Sequence, residues 1–208
     1  GLTVTGAITL TINQTNRYSG NTVINSGSTL AFQAGANTYI SNSAALVVNG
    51  TLDVSQNSNP DGFGLTLSTP ASQILSGTGT VKGEISMGNG TTISPATNGT
   101  YGTLTVAGDL TVNGGTLLLN GSASAATAEA LNSLTITAGG GHVTVNNGSG
   151  QTATLNLNGI VRTAVGGTVD FVMSSPSAVI QTSTANSFGT ILGGYATVGG
   201  AKFAAVSG

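Results

Sequence analysis

The stretch GTLTVAGDLTVNGGTLLL, residues 102–119, carries the pattern on which most of the chain is built. Three short runs in it alternate an aliphatic residue with threonine or another residue outside the core, a period of two that is typical of β-strands. Glycine, asparagine and aspartate lie between the runs and favour tight corners. The pattern predicts that the aliphatic side chains point inward and the threonines outward. The inward set is Leu104, Val106, Leu110, Val112, Leu117 and Leu119, and the outward set is Thr103, Thr105 and Thr111.

The composition indicates a large all-β chain with an aliphatic core. The 208 residues are enough for one large all-β domain or two smaller ones. Hydrophobic residues make up 38% of the chain, but aromatic residues only 4%, and tryptophan is absent, so valine, isoleucine and leucine must fill the core. Charged residues make up 5%, against about a quarter in an ordinary globular domain. The 33 glycines fit a chain with many tight corners.

Charge, hydropathy and cysteine content exclude several classes of function. A net charge of −2, with the four cations far apart in sequence, provides no basic patch for nucleic acid. No apolar run approaches the roughly 18 residues of a membrane span, so we expect no membrane insertion of this segment. The absence of cysteine excludes disulfides and thiolate metal sites, and it fits a protein that is exported to a place where free thiols are a liability. These features predict an extracellular protein, and its strand-like first residues, without a signal peptide, suggest a processed product or a segment of a longer protein. The cations are Arg17, Lys82, Arg162 and Lys202.

Strand-like runs recur from end to end, which predicts a single β-solenoid over residues 1–208. The Ala-rich segment 122–131 breaks the rhythm and is the one candidate for a short helix, although its short length and Gly/Ser flanks argue against helix formation. A subdivision around this segment, into a repeat-like half 1–120 and a second β half 134–208, is compatible with the pattern.

Two architectures fit the positions of the apolar residues. Gly114 and Gly115 could form a hairpin turn that places Val112 opposite Leu117, which would lead to an antiparallel β-sandwich. Alternatively, each corner bends the chain into the next side of a β-solenoid whose parallel strands stack about 4.8 Å apart. The low charge and the few aromatic residues favour the solenoid, with about ten irregular rungs of roughly 20 residues each.

Three motifs in order resemble the autotransporter-associated β-strand repeat. They are YSGNTVINSGSTL at 18–30, LSGTGTV at 75–81, and Ser94-Pro95 followed by GTLTV at 102–106 and GDLTV at 108–112. The resemblance covers roughly residues 18–120, and the segments 166–171 and 191–198 look like those that accompany such repeats. It implies a right-handed parallel β-helix that is displayed on, or released from, the bacterial cell surface, often as an adhesin stalk.

The sequence predicts no catalytic, cofactor or metal site. Each acidic residue lies beside a glycine, an asparagine or a strand end, where turn and capping roles suffice. The single histidine, His142, begins a strand after three glycines, and no calcium-binding loop motif occurs. A pair of acids gathered from different rungs would be needed for a polysaccharide-cleaving enzyme. The six acids are Asp53, Asp61, Glu84, Asp109, Glu129 and Asp170.

Several aromatic residues could stack on sugars if they lay on one face, although plugging the corners of the core is the favoured interpretation. They are Tyr18, Tyr39, Phe63, Tyr101, Phe188 and Tyr195.

Together these features predict a non-enzymatic extracellular structural protein, a segment of a surface stalk, adhesin or self-assembling filament. The alternatives are a carbohydrate-binding module and a polysaccharide-degrading β-helix enzyme, and surface polysaccharide is a possible partner of the structural protein too. Neither the first strand-like run, residues 2–12, nor the last, residues 202–206, shows a capping helix. Uncapped strand edges at both ends predict end-to-end self-association, as a homopolymer or as consecutive segments of a longer chain.

Overall fold

The computed structural model describes residues 1–14, 18–33, 40, 43–59, 62–67, 72–95, 102–187 and 191–206, with the side chains of 58, 59, 62 and 63 excepted. In these ranges the secondary structure is β throughout, in 24 short strands. The strands are β1 (Leu2–Val4), β2 (Thr9–Ile12), β3 (Thr22–Ile24), β4 (Thr29–Phe32), β5 (Ala45–Val48), β6 (Thr51–Asp53), β7 (Ser58–Asn59), β8 (Gly62–Leu67), β9 (Ile74–Gly77), β10 (Thr80–Lys82), β11 (Glu84–Gly88), β12 (Thr92–Pro95), β13 (Thr105–Val106), β14 (Leu110–Asn113), β15 (Gly115–Asn120), β16 (Thr127–Ala130), β17 (Ser133–Ile136), β18 (Gly139–Asn146), β19 (Ala153–Asn156), β20 (Gly159–Arg162), β21 (Gly167–Met173), β22 (Ala178–Gln181), β23 (Ala196–Val198) and β24 (Lys202–Phe203).

The strands stack into four sheets that form the sides of a β-solenoid. Sheet I has the order β1-β3-β5-β9-β12-β15-β18-β21-β23-β24, and sheet II has the order β2-β4-β6-β10-β13. Sheet III has the order β7-β8-β11-β14-β17-β20, and sheet IV has the order β16-β19-β22. From β9 onward the chain visits sheet I, then sheet II or IV, then sheet III in each rung. Sheet IV thus takes over the side of the solenoid that sheet II forms earlier in the chain.

Parallel pairing between rungs confirms the predicted solenoid. In the described residues, antiparallel pairing is confined to β7 with β8, β23 with β24, and one isolated bridge between Ser187 and Ile191. The antiparallel sandwich is therefore the wrong alternative. The rungs are irregular, as predicted, since partner positions on sheet I lie 18 residues apart from Leu75 to Ile93 but 29 apart from Leu46 to Leu75. Most rungs are longer than the predicted 20 residues, so the solenoid has fewer than ten of them.

The core consists of columns in which each aliphatic side chain stacks on that of the next rung. All six residues predicted to point inward in the stretch 102–119 are buried, and none is more than 6% exposed. The three predicted outward threonines are exposed or half-buried. One continuous hydrophobic cluster extends from Val4 to Ala204. Within the described ranges, no helix has the length and apolar character needed to cross a membrane.

Gly114 and Gly115 form a corner of the solenoid and not a hairpin turn. Both have positive φ, 92° and 87°, which turns the chain from sheet III into sheet I. As a result Val112 pairs with Ile136 in sheet III, while Leu117 pairs with Val143 in sheet I. The two residues face the same core from different sides, which is why the alternation of the sequence fits both architectures.

The Ala-rich segment 122–131 forms strand β16 and no helix. Around it the rungs remain paired, since β14 pairs with β17 and β15 pairs with β18. Since sheet IV begins with this strand, the segment introduces a new sheet into the solenoid.

The last strand folds back over the end of sheet I. β24 pairs antiparallel with β23, with Thr197 opposite Phe203. β24 is therefore the outermost strand of sheet I among the described residues, so this sheet ends in an antiparallel strand and not in a further parallel rung. At the same end, β20 and β22 are the outermost strands of sheets III and IV.

Asp170 ties this terminal hairpin to the body of the solenoid. One carboxylate oxygen, Oδ1, accepts hydrogen bonds from Oγ1 of Thr197 and from the backbone N–H of Gly200, both at 2.8 Å. We expect Asp170→Ala to accelerate amide hydrogen exchange in residues 196–203 by about 10- to 100-fold, because hydrogen bonds to a charged group contribute about 1.5–3 kcal/mol. Thr168→Ala, an exposed position on the same strand, is the matched control. Equal exchange in the two variants would contradict this role.

Candidate functional site

Glu129 is an acidic side chain that points into the hydrophobic core. It lies on β16, where it pairs in register with Leu155, a core residue of the next rung. Leu131, two residues along the chain, is also buried. Glu129 is only 6% exposed. Its position is thus that of an aliphatic residue in a core column.

The site lies where the solenoid changes from sheet II to sheet IV. β13 is the last strand of sheet II and β16 is the first strand of sheet IV, and the two do not pair. A cavity of about 20 Å³ lies at this discontinuity, lined by aliphatic side chains and by Glu129. That volume is enough for about one water molecule. Ile93, Leu104, Leu119 and Leu155 are among the lining residues.

The apolar surroundings favour the protonated form of this carboxyl group. Burial raises the pKa of Glu129 from 4.5 to about 7, and a hydrogen bond with the side chain of Thr103 acts in the opposite direction. The second carboxyl oxygen, Oε1, is buried and has no hydrogen-bond partner. Glu129 is the only titratable group among the described residues that line the cavity. The arrangement can therefore hold or release a proton near neutral pH, but it offers no second acid or base.

Three of the other acids accept hydrogen bonds at turns and strand ends. Asp53 accepts from the backbone N–H and the hydroxyl group of Ser55, at 3.2 and 2.6 Å. Asp109 accepts from Nδ2 of Asn132 at 2.9 Å and from Oγ of Ser133 at 2.8 Å. Asp170 holds the terminal hairpin. These contacts are turn and strand-end roles, and Asp61 lies outside the described residues.

Two pairs of polar residues occupy neighbouring positions in adjacent rungs. Ile85 pairs with Leu110, so Glu84, the first residue of β11, stands beside Asp109, which lies just before β14. His142 pairs directly with Asp170 in sheet I. In both pairs the aspartate already accepts hydrogen bonds from other residues of the chain. Among the residues described, no group of three or more acidic or histidine side chains could hold a metal ion.

The aromatic residues with described side chains occupy two separate parts of the solenoid. The hydroxyl group of Tyr18 lies 2.8 Å from Oγ1 of Thr22, which in turn lies 2.7 Å from Oγ of Ser43 in the buried interior. Tyr195 lies near the last rung, where the Arg162 guanidinium stands 5.5 Å from the ring centroid. Both tyrosines pack against the core. These two tyrosines therefore do not share one strip. Tyr39, Tyr101, Phe188 and the side chain of Phe63 lie outside the described part.

Glu129 is the residue whose position the sequence interpretation missed. The sequence pattern predicts turn and capping roles for every acid, and it makes the surrounding segment only a candidate for a short helix. The available signal was parity: in a strand, residues 129 and 131 point to the same face. Because Leu131 belongs in the core, Glu129 must point there as well.

No protein-family model, curated protein or solved structure matches the chain. The resemblance to the autotransporter-associated repeat therefore stays a prediction that rests on the three sequence motifs.

Proposed function

We propose that this chain is a non-enzymatic extracellular structural protein, a β-solenoid segment of a bacterial surface stalk, adhesin or self-assembling filament. The observation that carries the proposal is the stacking of identical side chains in register along the solenoid. Sheet II carries an outward column of five threonines, one from each strand, beside an inward column of aliphatic residues. Such a repeat is suited to length and regularity, the properties of a stalk or fibre. The threonines are Thr9, Thr29, Thr51, Thr80 and Thr105.

The surface chemistry supports an assembling role. With 5% charged residues and a net charge of −2, neighbouring copies repel one another only weakly. The absence of cysteine fits an exported protein. The three motifs that resemble the autotransporter-associated repeat also support a role as a surface stalk or filament.

The contacts of the acids support a structural role more than an enzymatic one. Asp53, Asp109 and Asp170 each accept hydrogen bonds that fasten a turn or a neighbouring rung. Glu129 lies inside the core and is only 6% exposed, so a polymeric substrate has little access to its carboxyl group. Because Glu84 and Asp109 stand side by side, a test of polysaccharide cleavage must include variants of these two acids.

Analytical ultracentrifugation and electron microscopy of the purified chain test the proposal. We expect rods whose length increases with protein concentration, because each added copy extends the same ladder. A single monomeric species over the whole concentration range would contradict the filament. Turnover of a polysaccharide that disappears in the double variant Glu84→Gln/Asp109→Asn would instead show an enzyme.

A further inference from the structure

Sheet IV ends one rung before sheet I at the C-terminal end of the solenoid. β22, the last strand of sheet IV, follows β21 in the same rung, but sheet I continues past β21 through β23 and β24. The step between the two sheets forms a recess of about 550 Å³ beside β22. Because β23 already pairs with the outer edge of β21, a further complete rung does not fit here, and the position beside β22 has room for a single strand.

The recess is an extension of the hydrophobic core and carries no charge. Phe171, Leu192 and Ala204 are among the residues that line it, and each of these three is at most 4% exposed. None of the lining side chains is acidic or basic. Since an apolar cavity of about 150 Å³ admits a benzene ring, the recess has room for about three side chains of that size.

Two inward columns of the core end at β22. Ala153 of β19 pairs with Ala178, and Leu155 pairs with Ile180. Ala153, Leu155 and Ala178 are buried, whereas Ile180 is half-buried although it belongs to the same column as Leu155. Side chains at alternate positions of a strand point to the same face. An added strand with aliphatic residues at two alternate positions would therefore continue both columns.

The outer edge of β22 presents backbone groups to such a strand. The carbonyl groups of Ser177 and Gln181 accept hydrogen bonds from the N–H groups of Ala153 and Leu157, on the side of β19. In a parallel ladder, successive residues direct their N–H and C=O groups to opposite neighbours, so those of Ile180 point to the outer edge. Among the described residues, β22 pairs with no strand other than β19.

We propose that this recess binds an extended, uncharged segment of a partner protein, which adds to β22 as one strand and places aliphatic side chains above Ala178 and Ile180. In strand addition, main-chain hydrogen bonds to the sheet edge provide affinity, and the pockets for alternate side chains provide specificity. An uncharged segment is favoured because an ionised side chain would lose its hydration in the recess without meeting an opposite charge. The inference goes beyond the proposed structural function, since binding requires no self-association of the chain.

Titration calorimetry with two peptides tests the site on the wild-type chain. The first peptide has the sequence of residues 133–137, SLTIT, with capped ends, and carries the required alternation in Leu134 and Ile136. The control peptide has serine in place of both aliphatic residues. We expect the control to bind at least about ten-fold more weakly, because it has no aliphatic side chain to bury in the recess. Equal affinity of the two peptides, or no binding of the first, overturns the proposal.

Amide hydrogen exchange locates the bound SLTIT peptide. At a peptide concentration about ten times the dissociation constant, we expect the exchange of the Ile180 N–H to slow by about ten-fold, because the added strand accepts its hydrogen bond. The N–H of Val179 faces β19 by the same alternation and should exchange at an unchanged rate. Binding that leaves the exchange of Ile180 unchanged would show that the peptide lies elsewhere and overturns the strand addition.

A pair of variants connects binding to the floor of the recess. Ile180→Asp is expected to weaken binding of the SLTIT peptide by at least about ten-fold, because it places a charge beneath the added side chains. Thr154→Asp, on the outward face of β19 in the same sheet, should leave the affinity unchanged. Circular dichroism on both variants verifies that the fold is retained. Should Ile180→Asp unfold the chain, the peptide pair and the exchange of Ile180 in the wild type decide.

A neutral apolar dye, N-phenyl-1-naphthylamine, separates the peptide from a small ligand. We expect the SLTIT peptide to displace the dye from the recess, since both fill the same apolar space. Dye that binds in the recess and is not displaced by the peptide would show a site for small apolar molecules and overturn the peptide-binding proposal.

Discussion

Replacing Gly77 by alanine is expected to lower the free energy of unfolding by at least about 3 kcal/mol, because it combines backbone strain with a steric clash in the core. Gly77 is the last residue of β9 and has φ of 120°, a conformation that residues with a Cβ rarely adopt. A Cβ atom there would lie 2.1 Å from the carbonyl oxygen of Val48 in the adjacent strand. Neither backbone can move without breaking the ladder of sheet I.

Chemical denaturation of the wild type and two alanine variants checks this expectation. Gly6 also has positive φ, 87°, but nothing lies within 4 Å of its hypothetical Cβ. Gly6→Ala should therefore cost only the conformational strain, about 1–2 kcal/mol. If Gly77→Ala is no more destabilised than Gly6→Ala, the close approach of β5 and β9 is not the reason why position 77 requires glycine.

Stability is expected to fall by about 3 kcal/mol as the pH rises from 4.5 to about 7, because of Glu129. Below pH 4.5 the carboxyl group is protonated in both the folded and the unfolded chain, so its contribution is constant. Between the two pKa values the unfolded chain ionises while the folded chain keeps the proton, and folding becomes less favourable. Above about pH 7 both states are ionised and the loss levels off.

Unfolding curves measured from pH 4 to pH 9 test this dependence. Glu129→Gln removes the titrating group. We therefore expect the free energy of unfolding of this variant to fall by about 3 kcal/mol less than that of the wild type between pH 4.5 and about 7. Glu84→Gln, at an exposed position on the neighbouring sheet III, is the matched control for replacing a glutamate by glutamine. If the stability of Glu129→Gln depends on pH as strongly as that of the wild type, the pKa of the Glu129 carboxyl group does not differ between the folded and the unfolded chain.

The stretch 102–119 was sufficient to predict the strands and their inward faces, because a period of two fixes which side chains share a face. By itself, this pattern is compatible with either a hairpin turn or a solenoid corner at Gly114 and Gly115. Val112 and Leu117 enter the same core in either case, and only their partners in other rungs, Ile136 and Val143, distinguish the two. The choice of the solenoid came from the low charge and the scarcity of aromatic residues.

Other features depend on long-range contacts that a local pattern does not contain. In the antiparallel return of β24, the backbone N–H of Gly200 donates a hydrogen bond to Asp170, some 30 residues earlier. The variable rung length arises because corners accept extra residues without disturbing the columns. The burial of Glu129 follows from the parity of a strand, but only once segment 122–131 is recognised as a strand and not as a helix.

The parallel pairing from rung to rung also determines how the solenoid responds to tension. Hydrogen bonds between stacked strands run along the axis, so a pull on the two ends acts on them one rung after another, starting from an end. Each rung that detaches releases its whole contour length, about 60–100 Å for 18 to 29 residues, although it occupied only about 4.8 Å of the axis. Under mechanical load the molecule would lengthen in discrete steps of unequal size, with the step after β5 among the longest because 29 residues separate Leu46 from Leu75.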